Sequence, residues 1–312
     1  MKVGIIGLGT MGMGAALSLV KAGHAVHGCD LRESARDMLA NGGGQAVARP
    51  AEFPEDLGAV VVFVVNAAQA DAVLVGPDGC VPRLQAGTPV LGCATIAPEA
   101  ARALDAKLAA AGMIMLDTPV SGGFAAAHGG SMTVMASGPA AGFVKANPVL
   151  DAIAGKVWRL GDAVGIGSTV KMVNQLLAGV HIATAAEALA LGIRAGADPQ
   201  TLYDVISSSA GSSWMWQNRV PHILAGDDTP LSAVNIFVKD LGIVLDQARA
   251  LTFPLPMAAA AHQLFLAAAA NGQGGRDDAF VIRVWQALAG IELPQKADGQ
   301  ADKEAAEPVD EA

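Results

Sequence analysis

"KVGIIGLGTMGMGAALSLVKAGHAVHGCDLR", Lys2 to Arg32, decides the fold of this chain. Its opening, a lysine followed by apolar residues, has the outline of a secretory signal. Gly4, Gly7, Gly9, Gly12 and Gly14 break the apolar run, and no small-residue cleavage site is clearly placed after it, so no signal is expected. The same stretch also reads as a unit of regular structure. Lys2–Ile6 is a short apolar run with strand character. Gly7, Gly9 and Gly12 form G-x-G-x-x-G, helical character follows from Ala15 to Val20, and Gly23 ends it. Ala25–Cys29 reads as a second strand, ending at Asp30.

Strand, glycine turn, helix, strand and acid are the context that gives the motif meaning. The first glycine permits a tight turn, the second lets the backbone approach a pyrophosphate, and the third lets helix and strand pack closely. The N–H groups at the helix start attract phosphate. Asp30 stands 18 residues after Gly12, where an acid accepts hydrogen bonds from a ribose. Such an acid repels a 2′-phosphate and favours NAD, whereas Arg32 two residues on is able to accept one.

The alternation continues outward. Apolar runs at Ala59–Val65, Pro89–Thr95 and Met113–Val120 read as strands, with helices near Ala67–Val75 and Pro98–Ala111. Met132–Ala136 and Val157–Leu160 read as further strands around a helix at 140–155. After "GDAVGIGS" (Gly161–Ser168) the pattern changes to helices only: Thr169–Ala195, then near 199–209, 232–250, 256–270 and 278–289. The expected fold is α/β, an N-terminal Rossmann-type doubly wound parallel sheet followed by an all-helical C-terminal domain. The boundaries expected are 1–163, 164–294 and a disordered acidic tail at 295–312. From Lys296 on, that tail carries six acids against two lysines and no apolar period.

Composition narrows the function. The chain has 312 residues, 52% hydrophobic and 16% charged, with a formal charge of −9, which disfavours a nucleic-acid surface. Three cysteines without a CxxC pair argue against a disulfide framework or zinc and for the cytoplasm. The most apolar helical stretch, Val170–Gly192, contains Lys171, Asn174, Gln175, His181 and Glu187, too polar for a membrane span. The six histidines make no metal spacing, and no GxSxG is present.

Ligands of open parallel sheets bind beyond the carboxyl ends of the strands. Asn66 and Thr95 end strands, and "DTPVSGG" (Asp117–Gly123) ends another, where Ser121, Gly122 and Gly123 offer a hydroxyl and backbone N–H groups to a carboxylate. "GSTVKMVNQ" places Asn174 and Gln175 at i+3 and i+4 from Lys171, on one side of a helix. A lysine at such a place is either an acid/base group or a snorkelling surface residue. Lys239 and Asp240 in "FVKDLG" read on their own as a salt bridge.

In order, "GIIGLGTMGMGAA", "CATIAP", "DTPVSGG", "GSTVKMVNQ" and "VKDLG" resemble the β-hydroxyacid dehydrogenases, over roughly residues 1–290. The resemblance implies hydride transfer between NAD and a small hydroxy acid, with Lys171 as the catalytic acid/base. It implies cofactor contacts from Gly7, Leu8, Gly9, Thr10, Met11, Gly12, Asp30, Arg32, Asn66, Thr95 and Lys239. It also implies substrate contacts from Ser121, Gly122, Gly123, Asn174 and Gln175. Many members carry asparagine four residues after the lysine; here that position is Gln175. The departure turns the expectation away from 3-hydroxyisobutyrate. "GSSWMWQNR" and "SAVNIFVKDLG" are most similar to the branch that oxidises the C2 hydroxyl of L-threonate. 3-Hydroxyisobutyrate dehydrogenase and tartronate semialdehyde reductase activities stand as alternatives, and a non-catalytic dinucleotide or sugar-acid sensor as a remote one. The alanine-rich, strongly apolar helical domain implies a homo-oligomer, a dimer or tetramer joined through it. No metal and no membrane or nucleic-acid partner is expected.

Overall fold

The computed structural model describes residues 1–295, so all but the first residue of the expected tail lies outside the described residues. The chain forms two compact units, Met1–Met172 and a second beginning at Val173.

The first unit opens with β1 (Lys2–Ile6), α1 (Thr10–Lys21), β2 (Ala25–Cys29), α2 (Glu33–Asn41) and β3 (Gln45–Val47). It continues through β4 (Ala59–Val62), α3 (Ala67–Val75), β5 (Pro89–Gly92), α4 (Pro98–Ala110) and β6 (Ile114–Asp117). These six strands pair in the order β3-β2-β1-β4-β5-β6, every pair parallel. The order reverses between β1 and β4, the switch point where a doubly wound sheet opens its ligand crevice. Strand residues alternate between two cores. Val3, Ile5, Ala59 and Val61 face one layer, and Ile6, Val60, Val62 and Val90 the other. Burial on both faces is why these strands read as continuous apolar runs rather than alternating ones.

Beyond β6 come β7 (Val120–Ser121), α5 (Gly123–His128), β8 (Met132–Ala136), α6 (Ala140–Ile153) and β9 (Ala154–Arg159). Their strands form a separate three-stranded sheet, β7 antiparallel and β9 parallel to β8. Asp117 and Ser137 join the two sheets, each donating its backbone N–H to the other's carbonyl at 2.9 Å. The sequence reading missed α2, β3 and this partition. α2 carries a mostly polar sequence, and β3 is three residues long on the sheet edge.

α7 (Ile166–Arg194) follows the glycine turn at 161–165, and the two units part inside it. It is long and apolar enough to cross a membrane by length and composition, but 44% of its most apolar window is buried in the protein. Helices α8 (Pro199–Ser207), α9 (Trp214–Ala225), α10 (Val234–Ala250), α11 (Pro256–Ala268) and α12 (Arg283–Ala289) complete the second unit. α9, with Pro221 inside it, was not foreseen. The segment leading into α10 is tied down by buried acids. Asp277 accepts from the Leu231 N–H and from His222, and Asp278 holds Arg219 at 2.5 Å.

Candidate active site

The glycine loop is built by close approach. Gly7 has φ +89°, and a Cβ there would lie 2.5 Å from the Phe63 carbonyl oxygen. A Cβ on Gly12 would lie 1.8 Å from the Gly7 carbonyl oxygen, so α1 packs against its own turn only without a side chain. Gly9 differs: it caps α1, and a Cβ on it would meet nothing within 4 Å. Backbone N–H groups at a helix start beside open space suit a pyrophosphate. Leu8 is buried, whereas Thr10 at the helix start is exposed and Met11 partly so.

Asp30 lies just past β2. Its Oδ2 accepts the Leu8 N–H at 2.8 Å, and its Oδ1 accepts the Arg32 N–H at 2.9 Å and Arg32 Nε at 3.2 Å. Burial acts to raise the Asp30 carboxyl, but the hydrogen bonds from Arg32 and Leu8 outweigh it and hold the group below its ordinary value. An anion is thus fixed at the end of β2 beside the glycine loop. This acid, the open Gly9 face and the switch point fit an adenosine ribose and pyrophosphate.

Asn66 caps α3, its Oδ1 accepting the Gln69 N–H at 2.9 Å. It lies beyond β4, and Thr95 beyond β5, both at carboxyl ends; the strands stop at Val62 and Gly92, earlier than their apolar runs suggest. Ser121 ends β7, and Gly122 and Gly123, with φ of +128° and +67°, turn the chain into α5.

Lys171 is buried, with 7% exposure, near the start of α7. What holds that start is Asp117, whose role the sequence reading did not find. Asp117 Oδ2 accepts the N–H groups of Gly165 and Ser168, at 2.9 and 2.8 Å, and its Oδ1 accepts the Ser168 hydroxyl at 2.8 Å. Ser137 Oγ accepts the Gly167 N–H at 3.0 Å. The amides that a helix start leaves without intrahelical partners are thereby satisfied from β6 and the neighbouring sheet. Gly167 permits this, because a Cβ there would sit 2.4 Å from the Met135 carbonyl oxygen. Burial pushes the Asp117 carboxyl above its ordinary value, against the bonds from Ser168, Gly165 and Ser137. Asp117 stands four residues before Ser121 in the chain, and its carboxylate holds the helical turn that precedes Lys171. The only hint of it in the sequence was an acid ending an apolar strand.

In the second unit, Asp240 is 1% exposed. It binds Lys239 Nζ at 2.6 Å through Oδ1, the salt bridge read from the sequence, and Gln175 Nε2 at 2.5 Å through Oδ2. Gln175 Oε1 in turn accepts Asn174 Nδ2 at 3.0 Å. Lys239 and the two amides thus form a single network around one buried carboxylate.

A parallel doubly wound sheet with this glycine cradle and a ribose-side acid, followed by a helix bearing a buried lysine, defines a nucleotide-dependent oxidoreductase. Comparison with known proteins gives the class more closely. Residues 2–161 match the family of the NAD binding domain of 6-phosphogluconate dehydrogenase, and residues 165–285 that of the NAD-binding of NADP-dependent 3-hydroxyisobutyrate dehydrogenase. An L-threonate dehydrogenase of Cupriavidus necator is 57% identical over 95% of this chain and 99% of its own. One of Escherichia coli K12 is 51% identical over 94% and 96%. The crystal structure of a 3-hydroxyisobutyrate dehydrogenase from Salmonella typhimurium superposes with a TM-score of 0.87 at 49% identity, covering 91% of this chain and 99% of that one. The chain belongs to the 3-hydroxyisobutyrate dehydrogenase family of NAD-dependent hydroxyacid dehydrogenases.

Proposed function

We propose that this protein oxidises the C2 hydroxyl of L-threonate to the 2-oxo acid, with Lys171 as the general acid/base. The observation that carries the role of Lys171 is its burial just after the turn that the Asp117 carboxylate holds. Ser121, with the backbone of Gly122 and Gly123, binds the carboxylate. Lys171 takes the hydroxyl proton at Nζ and returns it in the reverse direction. Bound NAD supplies the hydride acceptor. Gly7–Gly12 and Asp30 hold its pyrophosphate and adenosine ribose, with Arg32 alongside, while Asn66, Thr95 and Lys239 bind the rest. Asn174 and Gln175 supply the amides on the substrate side. The names of the relatives at 57% and 51% identity support L-threonate over other acids.

The Salmonella structure, at 49% identity, supports 3-hydroxyisobutyrate as a second reading. NADH production from L-threonate, erythronate, glycerate, 3-hydroxyisobutyrate and tartronate separates the two. L-threonate should give the highest kcat/KM. A preference for 3-hydroxyisobutyrate overturns the first reading, and no turnover with any acid favours a sensor.

The proposal extends to a homo-oligomer of two-fold symmetry joined through the second unit, in the cytoplasm. Leu191, Val205, Trp214, Leu251, Phe253 and Met257 are more than half exposed there, apolar area that a second copy would cover. Light scattering at micromolar concentration tests it, and a monomer mass refutes it.

A further inference from the structure

The sheet stops holding β2 at Cys29. That residue is the last to pair, against Ile6 of β1 on one side and Val47 of β3 on the other. Its carbonyl accepts the Gly7 N–H at 2.8 Å, and the chain then turns away through Asp30 and Leu31. There the carbonyls of Asp30 and Leu31 both accept from Arg36 Nη1, at 2.9 and 2.7 Å. A guanidinium nitrogen thus stands where a strand partner no longer does. Leu31 is 88% exposed, so its side chain adds no packing that could hold the corner. Arg36 lies in the first turn of α2, where the helix dipole disfavours a cation. Helical side chains lean toward the N-terminus, which carries its guanidinium back over the turn to the strand end.

The bonds at this corner divide the work. The Asp30 carboxylate is aimed by the N–H groups of Leu8 and Arg32, while the backbone that carries it is held by Arg36. An acid accepts ribose hydroxyls and repels a 2′-phosphate only while both its aim and its backbone are fixed.

We propose that Arg36 is a positioning residue for cofactor recognition: without touching the cofactor, it fixes the Asp30–Leu31 backbone and so lets Asp30 discriminate NAD from NADP. The inference rests on the assignment of Asp30 to the adenosine ribose and is independent of which acid is oxidised. An Asp30 out of place loses on both counts, accepting hydroxyls less well and repelling the phosphate less. Loss of Arg36 therefore weakens NAD and spares NADP, a split that a general loss of stability does not produce.

Fluorescence titration of the full chain with NADH and with NADPH reads this without any substrate. Arg36→Met keeps the apolar stem and removes the donors. It should raise the Kd for NADH about tenfold, the size of one lost hydrogen bond to a charged group, with the Kd for NADPH unchanged or lower. Arg36→Lys, whose ammonium nitrogen can also bridge two carbonyls, should recover most of the NADH affinity. In a double-mutant cycle, Asp30→Ala should abolish the preference for NADH, and adding Arg36→Met should change that preference no further. Melting curves establish that each variant is folded. An unchanged Kd for NADH in Arg36→Met overturns the proposal, as does an equal loss of NADH and NADPH affinity. So does a lysine variant no better than the methionine one, or an additive effect in the double variant. A wild type that binds neither nucleotide, or binds NADPH more tightly, defeats the assignment of Asp30 to the ribose and this inference with it. A failed cycle on a wild type that prefers NADH defeats only the inference.

Discussion

Asp117 and Ser168, 51 residues apart, are joined twice: one carboxylate oxygen accepts the serine hydroxyl and the other its backbone N–H, each at 2.8 Å. The second oxygen also takes the Gly165 N–H. Asp117→Ala would leave three buried donors without their acceptor. Each unsatisfied donor costs roughly 1–3 kcal/mol. The expected loss is about 3–5 kcal/mol, read by denaturant unfolding, together with a fall in kcat as the turn before Lys171 loosens. Asp117→Asn keeps one oxygen as acceptor and should fall between wild type and alanine in both. Full stability of the alanine variant would show that the turn is held by other means.

The three loop glycines should separate by experiment. At Gly12 an added Cβ meets backbone at 1.8 Å, so Gly12→Ala should lower Tm and abolish activity. At Gly9 an added Cβ meets no protein atom within 4 Å. Gly9→Ala should therefore melt like the wild type while its Kd for NAD rises tenfold or more by fluorescence titration, because the methyl occupies space kept for phosphate. Equal NAD affinity in Gly9→Ala would move the cofactor away from this loop.

Lys171→Ala should lower kcat by about 10²–10⁴-fold, the usual contribution of a positioned acid or base. NAD binding, measured by titration, should be nearly intact. Unchanged turnover would remove Lys171 from the reaction.

Burial pushes the thiols of Cys29, Cys80 and Cys93 from an ordinary 9.0 up to about 12. All three are therefore protonated and poorly nucleophilic in the folded protein at neutral pH. A chromogenic disulfide reagent at pH 8 should react with none of them until denaturant is added, and then with all three. The sign of the linkage follows from the raised values. Unfolded thiols ionise near 9 while folded ones do not, so their stabilising effect is complete below pH 9. It is lost progressively as pH climbs from about 9 to 12. A denaturant midpoint rising over that range would contradict the assignment.

Local chemistry made much of this protein legible in its residues alone. A glycine turn, a helix start and an acid at the end of β2 lie within 32 residues, and each acts on its immediate neighbours. The motif therefore implied its own geometry, and the buried parallel strands were visible as apolar runs. Other features depend on residues far apart in the chain. The polar helix α2 and the three-residue edge strand β3 went unread, and the strands of the second sheet were read without their separation from the first, because pairing with distant partners defines that partition. Asp117 reads as one more acid at a strand end until the fold brings the start of α7 onto it. Gln175 reads as a polar residue beside Lys171 on one side of a helix, and its bond to Asp240, 65 residues on, comes only with the fold. Hydrogen bonds act over about 3 Å. Sequence by itself determined the elements and the glycine cradle, whereas which distant groups reach each other was decided only by the tertiary packing that sets those few ångströms.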